Sequence, residues 1–468
     1  MGNSQPPRPS DTSHPPRPDS PYSRADVNRS LIPDVVGLVN SYVEMPPFIA
    51  VVVIPEDDLT LRLPLVQPNY PGVPATGDVM IEWGNRDFYA VKLERGVPTP
   101  TDVSPHGPDP VPVASWTAGS GTTTGINNQR TVVRNRMVEH TYTKPGRYMI
   151  KITGTFGLKY YYANHFMDEE FTLLPIHVIT QWGGMVIGKM AFKGCRTLRT
   201  IRATDAPRLE RHLHCAFENC TALADDVVMN HWDVSNVGIM TSMFEGCTAF
   251  NGNLEDWDVG EVSYIDSMFK GCTAFNGNLE AWNVSKVGWF NSMFEGCWAF
   301  KGDLGHWSTK NASMMMNMFT DCLNFNGDLS SWDVSQVGYM SSMFEGCVKF
   351  NCDLNRWQTS QVKTMSSMFA GCSEFNCDLT RWQTSRVTNM EMMFLKCTAF
   401  DGDLTGWDVR SVTNMVMMFS LCTAFTGRGL EHWVLNPGVA RGMMFVDAPS
   451  LRFIPTESDA AVLAYTIV

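Results

Sequence analysis

Tryptophan recurs at positions 232, 257, 282, 307, 332, 357, 382 and 407, each 25 residues after the last, and again at 433 after one inserted residue. A period that strict means stacked repeats: no single unit can bury its own apolar wall, so each must lean on the next. Met-Phe pairs keep the same beat from Met243-Phe244 to Met418-Phe419, each with a cysteine three residues after the phenylalanine. Counting Phe192, Phe217 and Phe445 as well predicts about eleven coils.

Within one coil, Leu329, Trp332 and Val334 are spaced i, i+3 and i+5, which predicts that the last two point inward from a single strand. Val337, Met340, Met343, Phe344 and Cys347 fall at roughly helical spacing and predict a short turn or helix on the opposite wall. Phe325-Asn-Gly-Asp-Leu329, which recurs with small changes at 250, 275 and 400, reads as an Asx-Gly bend at a corner. The expected fold is therefore a mixed α/β repeat protein, a leucine-rich-repeat-like solenoid behind an N-terminal β-sandwich. Ten of the 13 cysteines occupy one repeat column with apolar neighbours and read as small core residues rather than metal ligands. Cys352 and Cys377 replace the bend glycine in consecutive coils, about 4.8 Å apart at strand spacing, so a disulfide and a pair of free thiols are both open.

The phrase Ser-Met-Phe-Glu-Gly-Cys-x-x-Phe-Asn-Gly-Asp-Leu-x-x-Trp-Asp-Val-Ser resembles the BspA-like leucine-rich repeat of the mycoplasma lipoprotein type, over residues 173–455. That resemblance implies a binding or structural role, as in surface proteins and adhesins, with copies in large DNA viruses. The N-terminus lacks the apolar stretch of a secretory signal, which departs from the surface-lipoprotein pattern. The expectation is an intracellular or virion-associated protein, with cell-surface display as the alternative that the resemblance implies.

Ahead of the repeats the text changes character three times. Residues 1–30 hold seven prolines by position 21 and read as a disordered arm. Residues 31–45 place Val35, Leu38, Val39 and Val43 at helical spacing, faintly like the opening of an F-box, which would make the chain an intracellular adaptor. Residues 46–172 carry strand-like runs at Phe48 to Ile54, Leu59 to Leu63 and Met80 to Trp83, and a Pro145-Gly146 turn before Tyr148, Ile150 and Ile152. This segment resembles a PKD-like, immunoglobulin-type sandwich whose final hairpin has that form. Trp83-Gly84-Asn85-Arg86 departs from the usual Gly-Asp-Gly, so no role of that aspartate carries over. Residues 456–468 read as a C-terminal tail.

Chemistry is sparse in this sequence. A net charge of −12, with no concentrated basic run, disfavours nucleic acid as a partner. The longest apolar run is strand-sized, so no transmembrane segment is expected. Histidines show no HExxH or triad spacing, and no glycine loop for phosphate appears. No catalytic residue, cofactor or metal site is expected, and the aspartate column Asp303, Asp328, Asp353, Asp378 and Asp403 reads as turn caps. What remains is the outward face beside the tryptophans. There His306, Ser308, Asp333, Arg356, Gln358, Arg381, Gln383 and Asp408 form the candidate binding face for a protein or glycan partner, with Arg356/Gln358 and Arg381/Gln383 suited to a carboxylate. The alternative is a spacer in a virion or particle.

Overall fold

The computed structural model describes residues 47–56, 60–63, 65–66, 76–82, 88–94, 123–124, 130–134, 137–153, 156–158, 175–224 and 226–453. The expected arm, the 31–45 helix, the Trp83-to-Arg86 segment and the 456–468 tail lie outside the described residues.

The strands in chain order are β1 (Phe48–Ile54), β2 (Thr60–Leu63), β3 (Leu65–Val66), β4 (Thr76–Glu82) and β5 (Phe88–Glu94). Then come β6 (Thr123–Thr124), β7 (Arg130–Arg134), β8 (Met137–Thr141), β9 (Gly146–Thr153) and β10 (Phe156–Leu158). The last are β11 (Ile176–Gln181), β12 (Met185–Ile187), β13 (Thr200–Ile201) and β14 (Arg208–Leu209). They form a six-stranded sheet, β13-β11-β1-β9-β4-β5, and two four-stranded sheets, β14-β12-β10-β3 and β2-β8-β7-β6. β1 lies between β11 and β9, antiparallel to both. A central strand can be apolar throughout: Phe48, Ala50, Val52 and Ile54 are buried, and Ile49, Val51 and Val53 are half-buried between them.

The expected hairpin around Pro145-Gly146 is absent. β8 pairs with β2 and β7, whereas β9 pairs with β1 and β4, so the Pro-Gly segment is a corner between two sheets. Tyr142 is buried there against Tyr148, ring centroids 4.1 Å apart, and the Tyr148 hydroxyl donates to the Lys144 carbonyl at 2.9 Å. That bond and ring contact brace the corner.

The strands feed directly into the coils. β11 pairs in parallel with β13, and β12 with β14, so the first rungs of the stack continue two of the sheets. Trp182 sits at the junction, against Phe48 on one side and Phe192 and Trp232 on the other. Asp205 caps the backbone there, accepting from the Trp182 and Gly183 N–H groups at 2.9 and 2.8 Å.

From residue 212 onward the fold departs from the mixed α/β solenoid. Among the described residues there is no α-helix, and the one helical element is a 3-10 turn at Leu430–His432. The stretch 337–347 closes as tandem β-turns. Met343, Glu345 and Cys347 N–H donate three residues back, to Met340, Ser342 and Phe344 carbonyls. The alternate N–H groups, on Met340, Ser342, Phe344 and Gly346, point out of the coil to carbonyls of Thr364, Ser366, Met368 and Ala370 in the next one. Helix is excluded by the backbone itself: Ser342 has φ 56° and Gly346 φ 74°, and two such left-handed residues recur in nearly every coil. Spacing alone cannot separate this zigzag from a helix, because both return an apolar side chain to the core every third or fourth residue.

The strand expected at Trp332 to Val334 is also corrected. That stretch is extended, with Trp332 and Val334 buried and Asp333 exposed, but it joins no ladder. The parallel bridges lie instead on the other wall, one per coil, from His212 through Ile239, Tyr264, Trp289, Met314, Tyr339, Thr364, Asn389 and Asn414 to Ala440.

Between the walls run three stacks of aromatic rings. Trp332 lies parallel to Trp307 and Trp357 at 6.4 and 6.5 Å, Phe344 lies on Phe319 and Phe369 at 5.6 and 5.7 Å, and Phe350 fills the corner 4.0 Å from Phe344. Burying 150–250 Å² per ring at about 25 cal/mol per Å² contributes roughly 4–6 kcal/mol per aromatic before chain entropy is subtracted.

Candidate functional site

Side chains complete the coil backbone, and this decides which surfaces stay available. Each tryptophan of the 25-residue column from 257 to 433 donates its indole N–H to a carbonyl of the preceding coil; Trp332 reaches Leu304 at 2.9 Å and Trp357 reaches Leu329 at 3.0 Å. Each column cysteine does the same with its thiol: Cys347 donates to Phe319 and Cys372 to Phe344, both at 2.9 Å. Asn326 and Asn351 accept, through Oδ1, from the backbone N–H of Asn351 and Asn376 at 2.8 and 2.9 Å. Lys301 replaces the amide in one coil, and the ladder resumes at Asn326.

The aspartate column is occupied in the same way. Asp303, Asp328, Asp353, Asp378 and Asp403 each accept from the N–H two residues on, at 2.8–2.9 Å, as Asx-turn caps. The Ser330 N–H holds the Asp328 carboxyl below the usual carboxylate range, and the Thr405 hydroxyl, with its N–H, does the same for Asp403. Among the described residues no group of three or more His, Cys, Asp and Glu is placed to hold a metal ion.

Cys352 and Cys377 are free thiols. Cys352 Sγ faces the Leu329 N–H at 3.2 Å, and Cys377 Sγ donates to the Cys352 carbonyl at 2.7 Å. Burial pushes the Cys352 thiol up to about 11, and burial beside Cys352 pushes Cys377 up to about 12, which disfavours the reactive thiolate.

The eight residues of the candidate face all lie on the tryptophan wall, alternating with buried Trp and with Val or Thr. Seven are exposed and Asp408 is half-buried. Two are engaged by their own turns: Asp333 accepts from Ser335 N–H at 3.0 Å, and Asp408 is gripped by the Arg410 guanidinium at 2.9 and 2.6 Å. Gln383 is partly fixed, its amide donating to the Arg381 carbonyl at 3.0 Å. Arg356, Gln358 and the Arg381 guanidinium project from consecutive coils. His306 and Ser308 belong to a different part of the same wall, a pocket of ≈ 510 Å³ shared with Glu255, Asn278 and Glu280, where His306 Nε2 lies 3.3 Å from Glu280 Oε1. The candidate face is thus two neighbourhoods, one acidic and one basic.

Sequence reasoning missed the bridge wall. Tyr264 and Trp289 are each 44% exposed there, ring centroids 5.8 Å apart, and Lys363 Nζ sits 5.4 Å from the Tyr339 ring centroid. The signal was in the column: it runs on into Thr364, Asn389 and Asn414, whereas the buried column one residue later is Met, Ile or Phe in those coils.

With this geometry in place, the comparisons with known proteins are brief. A family model described as "Mycoplasma protein of unknown function, DUF285" matches residues 211–332 and 313–433, so the coils are similar to that repeat family. No curated protein and no solved structure matches the chain.

Proposed function

We propose that this chain is a non-enzymatic repeat scaffold that presents its coil surface to a protein or glycan partner. The observation that carries the reading is the division of labour within each coil. Column Trp, Cys, Asn and Asp side chains are committed to backbone hydrogen bonds, while the column of Arg356 and Arg381 varies from coil to coil, from His306 through Ser331 to Gly406, and the two arginine side chains carry no such duty. The column thiols and the column carboxylates are spent on rungs and turns. The resemblance of the repeat phrase to the BspA-like type supports a binding role, and the PKD-like resemblance of the upstream strands supports a display module that leads into the stack.

Crosslinked capture from the source material, with the full chain as bait, tests this. The wild-type chain is expected to retain a partner that the Arg356→Glu/Arg381→Glu double variant loses at least tenfold. Equal capture by both, or capture of nothing above an unrelated bait, overturns the reading.

A further inference from the structure

Four consecutive coils make a surface on the bridge wall unlike the rest of this acidic chain. Segments 285–291, 310–316, 335–341 and 360–366 carry Lys286, Lys310 and Lys363 and no aspartate or glutamate, in a molecule of net charge −12. Lys286 is paired with Glu261 of the preceding coil at 2.5 Å, Lys363 lies over the Tyr339 ring, and Lys310 is exposed. In the first of these coils Trp289 is 44% exposed, and Tyr339 is half-buried two coils on.

We infer that this stripe binds an acidic polysaccharide laid along the stack. The inference rests on the binding role proposed above and names the ligand class and the wall. Lys286 is neutralised by Glu261, but Lys310 and Lys363 pair with no carboxylate among the described residues, and their charge selects an anionic partner. The exposed indole of Trp289 selects one that also offers flat, weakly polar C–H surfaces, as sugar rings do. The rungs repeat at roughly strand spacing, about 4.8 Å, so Trp289, Lys310 and Lys363, on the first, second and fourth of these coils, lie along a path that a linear chain can follow. An acidic polypeptide would use the lysines and have little use for the rings. A nucleic acid would demand more cations than three lysines, one of them already paired, can supply.

The test uses the full chain and three probes: polygalacturonate, poly-glutamate and single-stranded DNA, each followed by calorimetry and by quenching of exposed tryptophan. Saturable binding of polygalacturonate is expected, at least tenfold tighter than the other two. It should fall at least tenfold in Trp289→Ala and in Lys310→Glu/Lys363→Glu, and weaken with salt. Trp289, Lys310 and Lys363 are surface residues, and an unchanged melting temperature shows that the variants fold. Absence of polygalacturonate binding, poly-glutamate or DNA binding as tight as the polysaccharide, or indifference to Trp289→Ala overturns the inference. Were the Arg356/Arg381-dependent partner still captured, the inference would fail alone; loss of both would remove the binding reading with it.

Discussion

The sheets before residue 188 and the coils after 212 satisfy their backbones by different means, and the contrast explains why one half of the chain repeats so strictly. In the sheets, strand pairs such as β1 with β9 bond N–H to C=O along seven registered residues, and side chains have only to alternate correctly. In the coils, Trp Nε1 and Cys Sγ add a second donor to carbonyls that a turn N–H already engages, while Asn Oδ1 and Asp Oδ1 meet backbone N–H groups directly. A side chain that doubles as a backbone partner cannot drift, whereas one that only fills space can. The first rungs show the limit of the device: among the described residues, Trp182 and Trp232 Nε1 are buried without a hydrogen-bond partner.

The largest expected effect that would sharpen this contrast is a deletion in the ring stack. Trp332→Ala should cost about 3–5 kcal/mol by urea denaturation, against about 0.5–1.5 for Ile150→Val in β9; a loss under 1 kcal/mol for Trp332→Ala would break the account of the stack. Next comes a pair of identical substitutions. Trp332→Phe keeps an aromatic ring but removes one of the two donors to the Leu304 carbonyl, which keeps the Trp307 N–H, at about 0.5–1.5 kcal/mol, whereas Trp232→Phe removes a donor with no described acceptor and should cost clearly less. Equal losses at the two sites would show that the indole bond contributes nothing.

Asn326→Ala should cost about 0.5–1.5 kcal/mol through the Asn351 N–H it abandons, while Met149→Thr on the exposed face of β9 should stay within about 0.5. Leu421 holds φ 63°, where glycine is at ease, so Leu421→Gly is expected to raise the melting temperature slightly, by about 1 kcal/mol of relieved strain; a drop would place its side chain's packing above its backbone strain. The smallest effect is acid sensitivity confined to the coils. Asp233, Asp328, Asp333, Asp403 and Asp408 have folded-state pKa values lowered by neighbouring Ser, Thr or Arg donors. A lowered folded value stabilises above the unfolded pKa of about 3.9, and that stability is lost as pH falls through the folded values. Hydrogen exchange from pH 6 to pH 3 should therefore quicken at the capped amides Ser330, Ser335 and Thr405, beyond the intrinsic change, before it does in β1 and β9.

Much of the coil was legible before any coordinates. The Trp, Met, Phe and Cys ladders were read as buried, and they are, because a 25-residue period leaves those columns no other place to go. At 337–347 spacing alone left a turn and a helix both open, and the mixed α/β class failed because left-handed residues at Ser342 and Gly346 return the same side chains inward through turns. The Pro145-Gly146 hairpin was misread because a turn motif records that the chain reverses, not which sheet it enters. In the candidate face, alternation with Trp correctly put Arg356 and Arg381 outside, but Asp408 was already held by Arg410, a partner no column alignment reveals.

By itself the sequence determined the period, the buried columns and the acidic character, since periodicity and composition act locally and add along the chain. Tertiary structure decided the rest: turns in place of helices, bridges on the wall opposite the tryptophans, and Lys363 set over the Tyr339 ring. Those outcomes depend on which backbone groups find partners in the neighbouring coil, and a partner 25 residues away in sequence is visible only once the coils are stacked.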